Sequence, residues 1–314
     1  MALFLGQIET ANNMLSQLLR RRIVGLTPSL RSFSSSAPSS LAPPRVVRFI
    51  ASHDNEEYFG VFADPTETSC RVCMRDEDTG KMSITSIEYP VELILPPVEP
   101  PAVWCVGLNY ADHAAEVKMT PAEYPLLFSK AVSSLVGHKG SIIIPKVASD
   151  PAEVDYEAEL AVVIGLEAKN VSEADAMKHV LGYCIANDVT ARRWQGKKGG
   201  GQWARSKSFD TFLPLGPYLT PAAAVPDPQN LSIRTLVNGD LVQDGNTSMM
   251  ITPIAKLIAF ISQGTTLLPG TVILTGTPAG VGYTKNKYLA PGDQVSIQIE
   301  GLGMLTNRVL KEED

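Results

Sequence analysis

Long apolar runs are missing from this sequence: no 18 consecutive apolar residues occur, and the most apolar stretches stop at Gly or Pro. A membrane-spanning helix needs roughly 20 such residues, so no span is expected. Cysteine is sparse, with only Cys70, Cys73, Cys105 and Cys184 in 314 residues. That usage fits a reduced compartment better than a disulfide scaffold. The single Cys70-x-x-Cys73 pair has no second pair and no nearby His, and reads as two small apolar residues rather than a zinc site. An excess of positive charge is missing too. The formal net charge is −6; residues 1–45 carry five Arg against Glu9, a net +4, which leaves −10 for the rest. An acidic body lacks the clustered Lys and Arg that a nucleic-acid partner requires. Neither Gln195–Asp210 nor Thr275–Gly282 contains G-x-x-x-x-G-K-[ST], which excludes a phosphate-binding P-loop.

What remains is a globular composition, 44% hydrophobic and 19% charged, incompatible with wholesale disorder. The length suits one large domain with or without a small accessory one. Residues 1–44 stand apart as an Arg- and Ser-rich segment poor in acids. Read as a helix, Leu15, Leu18, Leu19 and Ile23 share a face beside Arg20, Arg21 and Arg22. That is the composition of a mitochondrial transit peptide followed by a Ser/Pro linker, with cleavage expected near Arg31-Ser32-Phe33. A matrix enzyme is the expectation.

Residues 45–95 read as short strands. Val46–Ile50 and Tyr58–Phe62 flank a polar turn at His53-Asp54-Asn55, and Asp78-Thr79-Gly80 marks another. Prolines 90, 96, 97, 100 and 101 place a domain boundary near residue 96. The larger domain, 96–314, is mostly strand. Ser172 with Glu173 and Asp175 caps a helix running to about His179; Thr252-Pro253 opens another with the stripe Ile254, Leu257, Ile258, Ile261, closed by Gly264. Asn238-Gly239 supplies the type I′ turn of a hairpin over 236–242. Thr271–Leu274 is a buried strand, and Gln294–Ile299 alternates like a half-exposed one. Strands in hairpins rather than βαβ units predict a β-rich α+β fold and argue against a doubly wound sheet.

The chemistry starts at Val154-Asp155-Tyr156-Glu157-Ala158-Glu159-Leu160-Ala161-Val162-Val163-Ile164-Gly165. Residues two apart share a strand face, so Tyr156, Ala158, Leu160 and Val162 take one side and Glu157, Glu159 and Ala161 the other. An isolated E-x-E is ordinarily a solvated edge. Here the chain runs on into the core, so the two carboxylates need a cation, or one must be protonated. Asp188, at the end of the apolar stretch Cys184–Asn187, supplies a third acid. Three carboxylates without Cys or His form a hard oxygen site suited to Mg²⁺ or Mn²⁺.

His113 and Glu116 lie three apart, on one side of a helical turn. A carboxylate beside an imidazole fixes its tautomer and raises its basicity, as a general base requires. The same spacing also occurs incidentally on surface helices. Gly199-Gly200-Gly201 suggests a lid, with Lys207 after it able to balance the acids; Trp194 and Trp203 read as packing anchors.

In this order, Val106-Gly107-Leu108-Asn109-Tyr110-x-x-His113-x-x-Glu116, Phe128-Ser129-Lys130, Glu157-x-Glu159-Leu160, Asp188-Val189-Thr190-Ala191-Arg192, Lys207-Ser208-Phe209 and Leu274-Thr275-Gly276-Thr277-Pro278 resemble the fumarylacetoacetate hydrolase superfamily over residues 100–308. The resemblance implies a roll of packed mixed β-sheets with a small N-terminal β domain, usually dimeric. It implies Mg²⁺ on Glu157, Glu159 and Asp188, and His113–Glu116 as the acid/base dyad. Lys207 joins the catalytic groups, and Arg192, Gln195, Thr277 and Lys130 contact a small oxo-acid. Val154–Gly165, Phe209–Pro217 and Gly245–Met249 are most similar to a mitochondrial branch, which implies oxaloacetate enol–keto tautomerisation. Acylpyruvate hydrolysis and oxaloacetate decarboxylation use the same groups and stay open. A silent metal-binding scaffold is the reading from a different class, and an intact dyad beside an intact triad argues against it.

Overall fold

The computed structural model describes residues 44–75 and 82–313. The presequence reading falls on residues 1–43, and the Asp78-Thr79-Gly80 turn on 76–81; both lie outside the described residues. The expected β-rich α+β architecture is what the chain adopts. Strands Val47–Ala51, Glu57–Phe62, Ser69–Arg75 and Met82–Leu95 close into a small barrel around Val47, Phe49, Ala51, Cys70, Val72 and Ile94. Cys70 is one of its core residues, and burial pushes its thiol up to about 12, so it behaves as apolar filling, while Cys73 is half-buried.

The barrel is fastened to the rest of the chain at several points. Val46 and Leu219 exchange two backbone hydrogen bonds of 2.9 and 2.8 Å, and Arg45 donates to the Tyr218 hydroxyl and to Gly301 O. His138, buried, reaches Glu67 Oε2 at 3.0 Å with Nε2 and accepts from Thr306 N with Nδ1.

Beyond the barrel stand two larger sheets. The first runs, edge to edge, Leu126–Ser129, Val103–Gly107, Val272–Leu274, Ala158–Ile164, Val180–Asn187, Leu213–Pro221 and Leu135–Val136. The second runs Asp240–Asn246, Ser232–Val237, Gln294–Ile299, Gly303–Lys311 and Ser141–Ile144. Strand 158–164 is buried along its whole length, which explains its nearly unbroken apolar sequence. Its even-numbered residues Ala158, Leu160, Val162 and Ile164 enter one core with Ile233, Val295, Ile297 and Leu305 of the second sheet. Its odd-numbered Ala161 and Val163 enter another, with Cys105, Cys184, Ala186 and Leu274. Glu157 and Glu159 therefore have the parity of the second core.

Local signals hold where their chemistry is self-contained. Ser172 accepts from Asp175 N and caps a helix of Glu173–Ala176 that tightens into a 3₁₀ turn over Met177–His179. Ile254, Leu257, Ile258 and Ile261 are the buried stripe of helix Ile254–Ile261; the helix ends at Ile261, with Ser262 as cap and Gly264 left-handed two residues on. Asn238 and Gly239 take φ of 55° and 89°, as the I′ hairpin needs. Among the described residues no helix is long and apolar enough to cross a membrane.

Leu160, fully buried where the two sheets face each other, tests this packing. Leu160→Ala is expected to lower unfolding stability by about 2–5 kcal/mol in urea titrations, whereas a loss below about 1 kcal/mol would mean that the site collapses around the deletion.

Candidate metal centre and dyad

Antiparallel pairing assembles the acidic cluster. Strand 158–164 begins beside the end of strand 180–187, with Ala158 opposite Asn187 and Glu159 opposite Ala186. Asp188 N then donates to Glu157 O at 2.9 Å, and the Asn187 side chain accepts from Glu157 N at 3.0 Å. These contacts bring Glu157, Glu159 and Asp188 together, with one carboxylate oxygen from each within 4.8 Å of the others. All three are buried, Asp188 completely.

Three cations face the cluster. Lys207 Nζ lies 2.7 Å from Glu157 Oε2, 2.5 Å from Asp188 Oδ2 and 2.8 Å from Thr190 Oγ1. Lys130 Nζ donates to Asp188 Oδ1 at 2.7 Å and to Val189 O at 3.2 Å. Arg192 Nη1 pairs with Glu157 Oε1 at 2.7 Å and also meets Gln195 Oε1 at 3.0 Å, while Nε donates to Asp155 Oδ2 at 2.8 Å. Lys130 is thus wholly buried against Asp188, which it holds in place.

Glu159 is the exception. It has no cationic partner among the described residues; its Oε2 accepts only the Gly276 N–H, at 2.6 Å. Gly276 can present that N–H because it sits at φ +95°, with no room for a side chain: a Cβ would lie 2.9 Å from that of Asn109. Burial, then the charges of Asp188 and Glu157, push the Glu159 carboxyl well above the ordinary carboxylate range. Burial would push Glu157 up as well, but Lys207 and Arg192 outweigh it and hold it at about 2. The same two acids raise Lys207 against the effect of burial, whereas burial wins at Lys130 and lowers it. Counting Asp155, four buried carboxylates face three cations, and the uncompensated one lies beside two others. An all-oxygen donor set with one more carboxylate than cations fits a hard divalent cation.

The dyad borders this cluster. His113 Nδ1 lies 3.2 Å from Glu116 Oε2, and one short segment joins the pair to the cluster, with Gly280 N on Glu116 and Gly282 N on Asp155. Glu116 is fixed from behind by Gly280 N, 3.1 Å from each carboxylate oxygen, and by the Thr284 hydroxyl at 2.8 Å. Thr277 is buried next door, its hydroxyl accepting from Gln243 Nε2 at 2.8 Å. Lys130, Arg192 and Lys207 thus sit on the acidic cluster, Gln195 on Arg192, and Thr277 is tied to the start of strand 158–164 through Gln243. Gly199-Gly200-Gly201 forms a hydrogen-bonded turn, with Gly201 N on Gly196 O and Gln202 N on Trp194 O, and leads into helix Trp203–Lys207. Trp203 packs on Phe128 and Trp194 on Phe209, as anchors do.

Two polar residues at the centre carry no sequence motif. Gln243 accepts from Ala158 N and Thr235 Oγ1 while donating to Thr277 and Pro278, tying the two sheets together. Asp155, fully buried, holds Arg192. A third acid two residues before Glu157 was the available signal for Asp155; nothing local marks Gln243.

The raised Glu159 value has a consequence for stability. Metal-free, the folded chain holds a proton there that the unfolded chain releases near the ordinary glutamate value of about 4.3. The folded state then binds more protons, so Glu159 makes stability fall as pH rises above that value toward its own. Urea unfolding of metal-stripped protein across this range should show the fall, and saturating Mg²⁺ should abolish it. Parallel curves with and without Mg²⁺ would contradict the assignment.

Known proteins share the sequence and the fold of this chain. Residues 102–310 match the family described as fumarylacetoacetate (FAA) hydrolase, C-terminal. The chain is 47% identical over 222 residues to "Oxaloacetate tautomerase fahd2, mitochondrial" of Xenopus laevis, covering 70% of this chain and 69% of that one. It is 46% identical over 222 residues to the human "Oxaloacetate tautomerase FAHD2A, mitochondrial", 70% of each. Among solved structures, a 2-hydroxyhepta-2,4-diene-1,7-dioate isomerase from Mycobacterium marinum superposes with TM-score 0.72 at 38% identity, over 87% of this chain and 100% of that one. A fumarylacetoacetate hydrolase from Exiguobacterium antarcticum gives 0.70 at 35%, over 85% and 100%. The chain belongs to the fumarylacetoacetate hydrolase family.

Proposed function

We propose that this protein is a Mg²⁺-dependent oxaloacetate tautomerase of mitochondria, interconverting enol- and keto-oxaloacetate. The observation that carries the reading is a His–carboxylate pair together with a buried three-carboxylate cluster whose Glu157 is held by an arginine and a lysine. The tautomerase names of the two 46–47% identical relatives support the substrate and the compartment.

Glu157, Glu159 and Asp188 would hold the metal, which supplies Lewis acidity toward the carboxylate and C2 oxygen of a 2-oxo acid. Mn²⁺ would suit the same donors. Arg192 has a donor to spare: its Nη2 lies 2.8 Å from Asp155 Oδ2 without hydrogen-bond alignment and is otherwise unpartnered. Together with Gln195 and Thr277 it would hold a substrate carboxylate. With its N–H at Nδ1, toward Glu116, the His113 ring would present its Nε2 lone pair to the substrate. Glu116, held by Gly280 and Thr284, faces the ring and would support positive charge on it. His113 then moves one proton between the C2 oxygen and C3, a transfer that consumes no water. The Lys207 ammonium, raised by its acidic neighbours, balances negative charge developing on the C2 oxygen.

The test is to give purified protein and Mg²⁺ enol-oxaloacetate, then fumarylpyruvate and acetylpyruvate, following enol absorbance, CO₂ and pyruvate separately. Fast enol loss without CO₂ or cleavage products is expected. Stoichiometric pyruvate from an acylpyruvate, at an equal or higher rate, would replace the reading with hydrolysis. His113→Ala is expected to keep Mg²⁺ affinity and lose at least about tenfold in rate, since acid–base assistance is worth ~10²–10⁴-fold; an unchanged rate would move the proton-transfer role to Lys207.

A further inference from the structure

Asp155 lies outside the triad, yet its carboxylate is the most heavily bonded of the buried acids around it. It belongs to the two-residue strand Val154–Asp155, which pairs with Thr190–Ala191, so the chain enters the centre through Asp155 and leaves it through Arg192. Each of its oxygens accepts two hydrogen bonds. Oδ1 takes Tyr156 N and Gly282 N at 2.8 Å each; Oδ2 takes Arg192 Nε at 2.8 Å and Tyr283 N at 2.9 Å. Four bonds saturate a carboxylate, so Asp155 can neither ligate a metal nor touch a substrate.

Its partners lead to the two halves of the reaction. On one side is Arg192, whose guanidinium is also covered by the Tyr283 ring, 5.7 Å away. On the other is the segment 280–284. The same segment fixes Glu116 through Gly280 N and Thr284 Oγ1, and the Tyr156 hydroxyl grips Gly280 O at 3.1 Å. The segment fits against Asp155 without slack: a Cβ on Gly282 would lie 2.7 Å from Asp155 Oδ1 and 2.0 Å from Lys287 O.

We infer that Asp155 is a positioning residue of the reaction, registering the Arg192 clamp and the Glu116–His113 dyad against each other through one saturated carboxylate. This rests on the proposed oxo-acid chemistry. A buried ion pair that served stability alone would be the alternative.

Asp155→Asn removes the charge that orients Arg192 and keeps an oxygen for only part of the segment. The expected outcome is KM raised and kcat lowered by at least about tenfold each, with Mg²⁺ affinity by calorimetry within about threefold of wild type. In an Arg192→Ala background the KM effect of Asp155→Asn should shrink to within about twofold, because it acts through the arginine, while the kcat effect persists. A lowered melting temperature with kcat and KM both within about twofold, or full additivity of the two KM effects, would overturn the inference. If Asp155→Asn does not fold, Asp155→Glu keeps the charge but displaces it by a methylene; unchanged kcat and KM there would overturn it equally. Rates are read on whichever oxo-acid the wild type turns over, so failure on oxaloacetate alone counts against the proposed substrate and not against Asp155. If the wild type turns over none, calorimetric binding of oxalate to the Mg²⁺-loaded protein reads the Arg192 arm, and Asp155→Asn must weaken it by at least about tenfold.

Discussion

Mutual repulsion among buried carboxylates is the constraint around which the rest of this structure is arranged. Glu157, Glu159 and Asp188 come within 4.8 Å of one another at the ends of two fully buried strands, where an isolated charge is expensive. Lys207, Lys130 and Arg192 offset most of that cost, each through contacts of 2.5–2.7 Å. Glu159 is left with one backbone N–H. A protein that needed only a stable core would have filled these positions with apolar side chains of similar volume. The uncompensated acid makes sense as a place kept for a cation arriving from outside.

The fold keeps the acids close despite their repulsion by fixing the backbone on all sides. Antiparallel pairing of strands 158–164 and 180–187 sets the register, and Asn187 and Gln243 bond backbone N–H groups of Glu157 and Ala158. The dyad is held by a different element, the segment 280–284, which meets Glu116 from behind. The acidic triad at the strand ends and the His113–Glu116 pair on a separate short helix are linked through Asp155, which bonds Arg192 on one side and the segment 280–284 on the other. Activity in such a centre depends on register between elements as much as on the identity of each group.

Much of this was legible in the sequence, for a physical reason. The strand period alone put Glu157 and Glu159 on one side, and an apolar continuation with no room for solvated charge marked the site as buried. The cap at Ser172 and the turn at Asn238-Gly239 depend only on neighbours in sequence, and they hold; the helix after Thr252-Pro253 starts where expected, but its first N–H is taken by the distant Gln229. The spacing of His113 and Glu116 likewise foretold a contact on one helical turn. What stayed hidden was tertiary. Gln243 belongs to an exposed-looking hairpin strand, and only the packing of that hairpin brings it beneath Thr277. Asp155 was visible as an acid, but its donors include Gly282 and Tyr283, more than 120 residues later. Lys130 read as a group facing substrate; its burial against Asp188 depends on strand Leu126–Ser129 joining the sheet edge.

The most direct test of the central claim is the position of a bound divalent ion. Crystals soaked in Mn²⁺, an anomalous scatterer that shares the oxygen-ligand preference of Mg²⁺, would locate it without reference to activity. A single strong anomalous peak bonded to one oxygen each of Glu157, Glu159 and Asp188, with the Lys207 ammonium moved off at least one of its acids, is the predicted result. Density placing the ion elsewhere, or a triad that stays metal-free at saturating Mn²⁺ with Lys207 still bridging Glu157 and Asp188, would contradict the account.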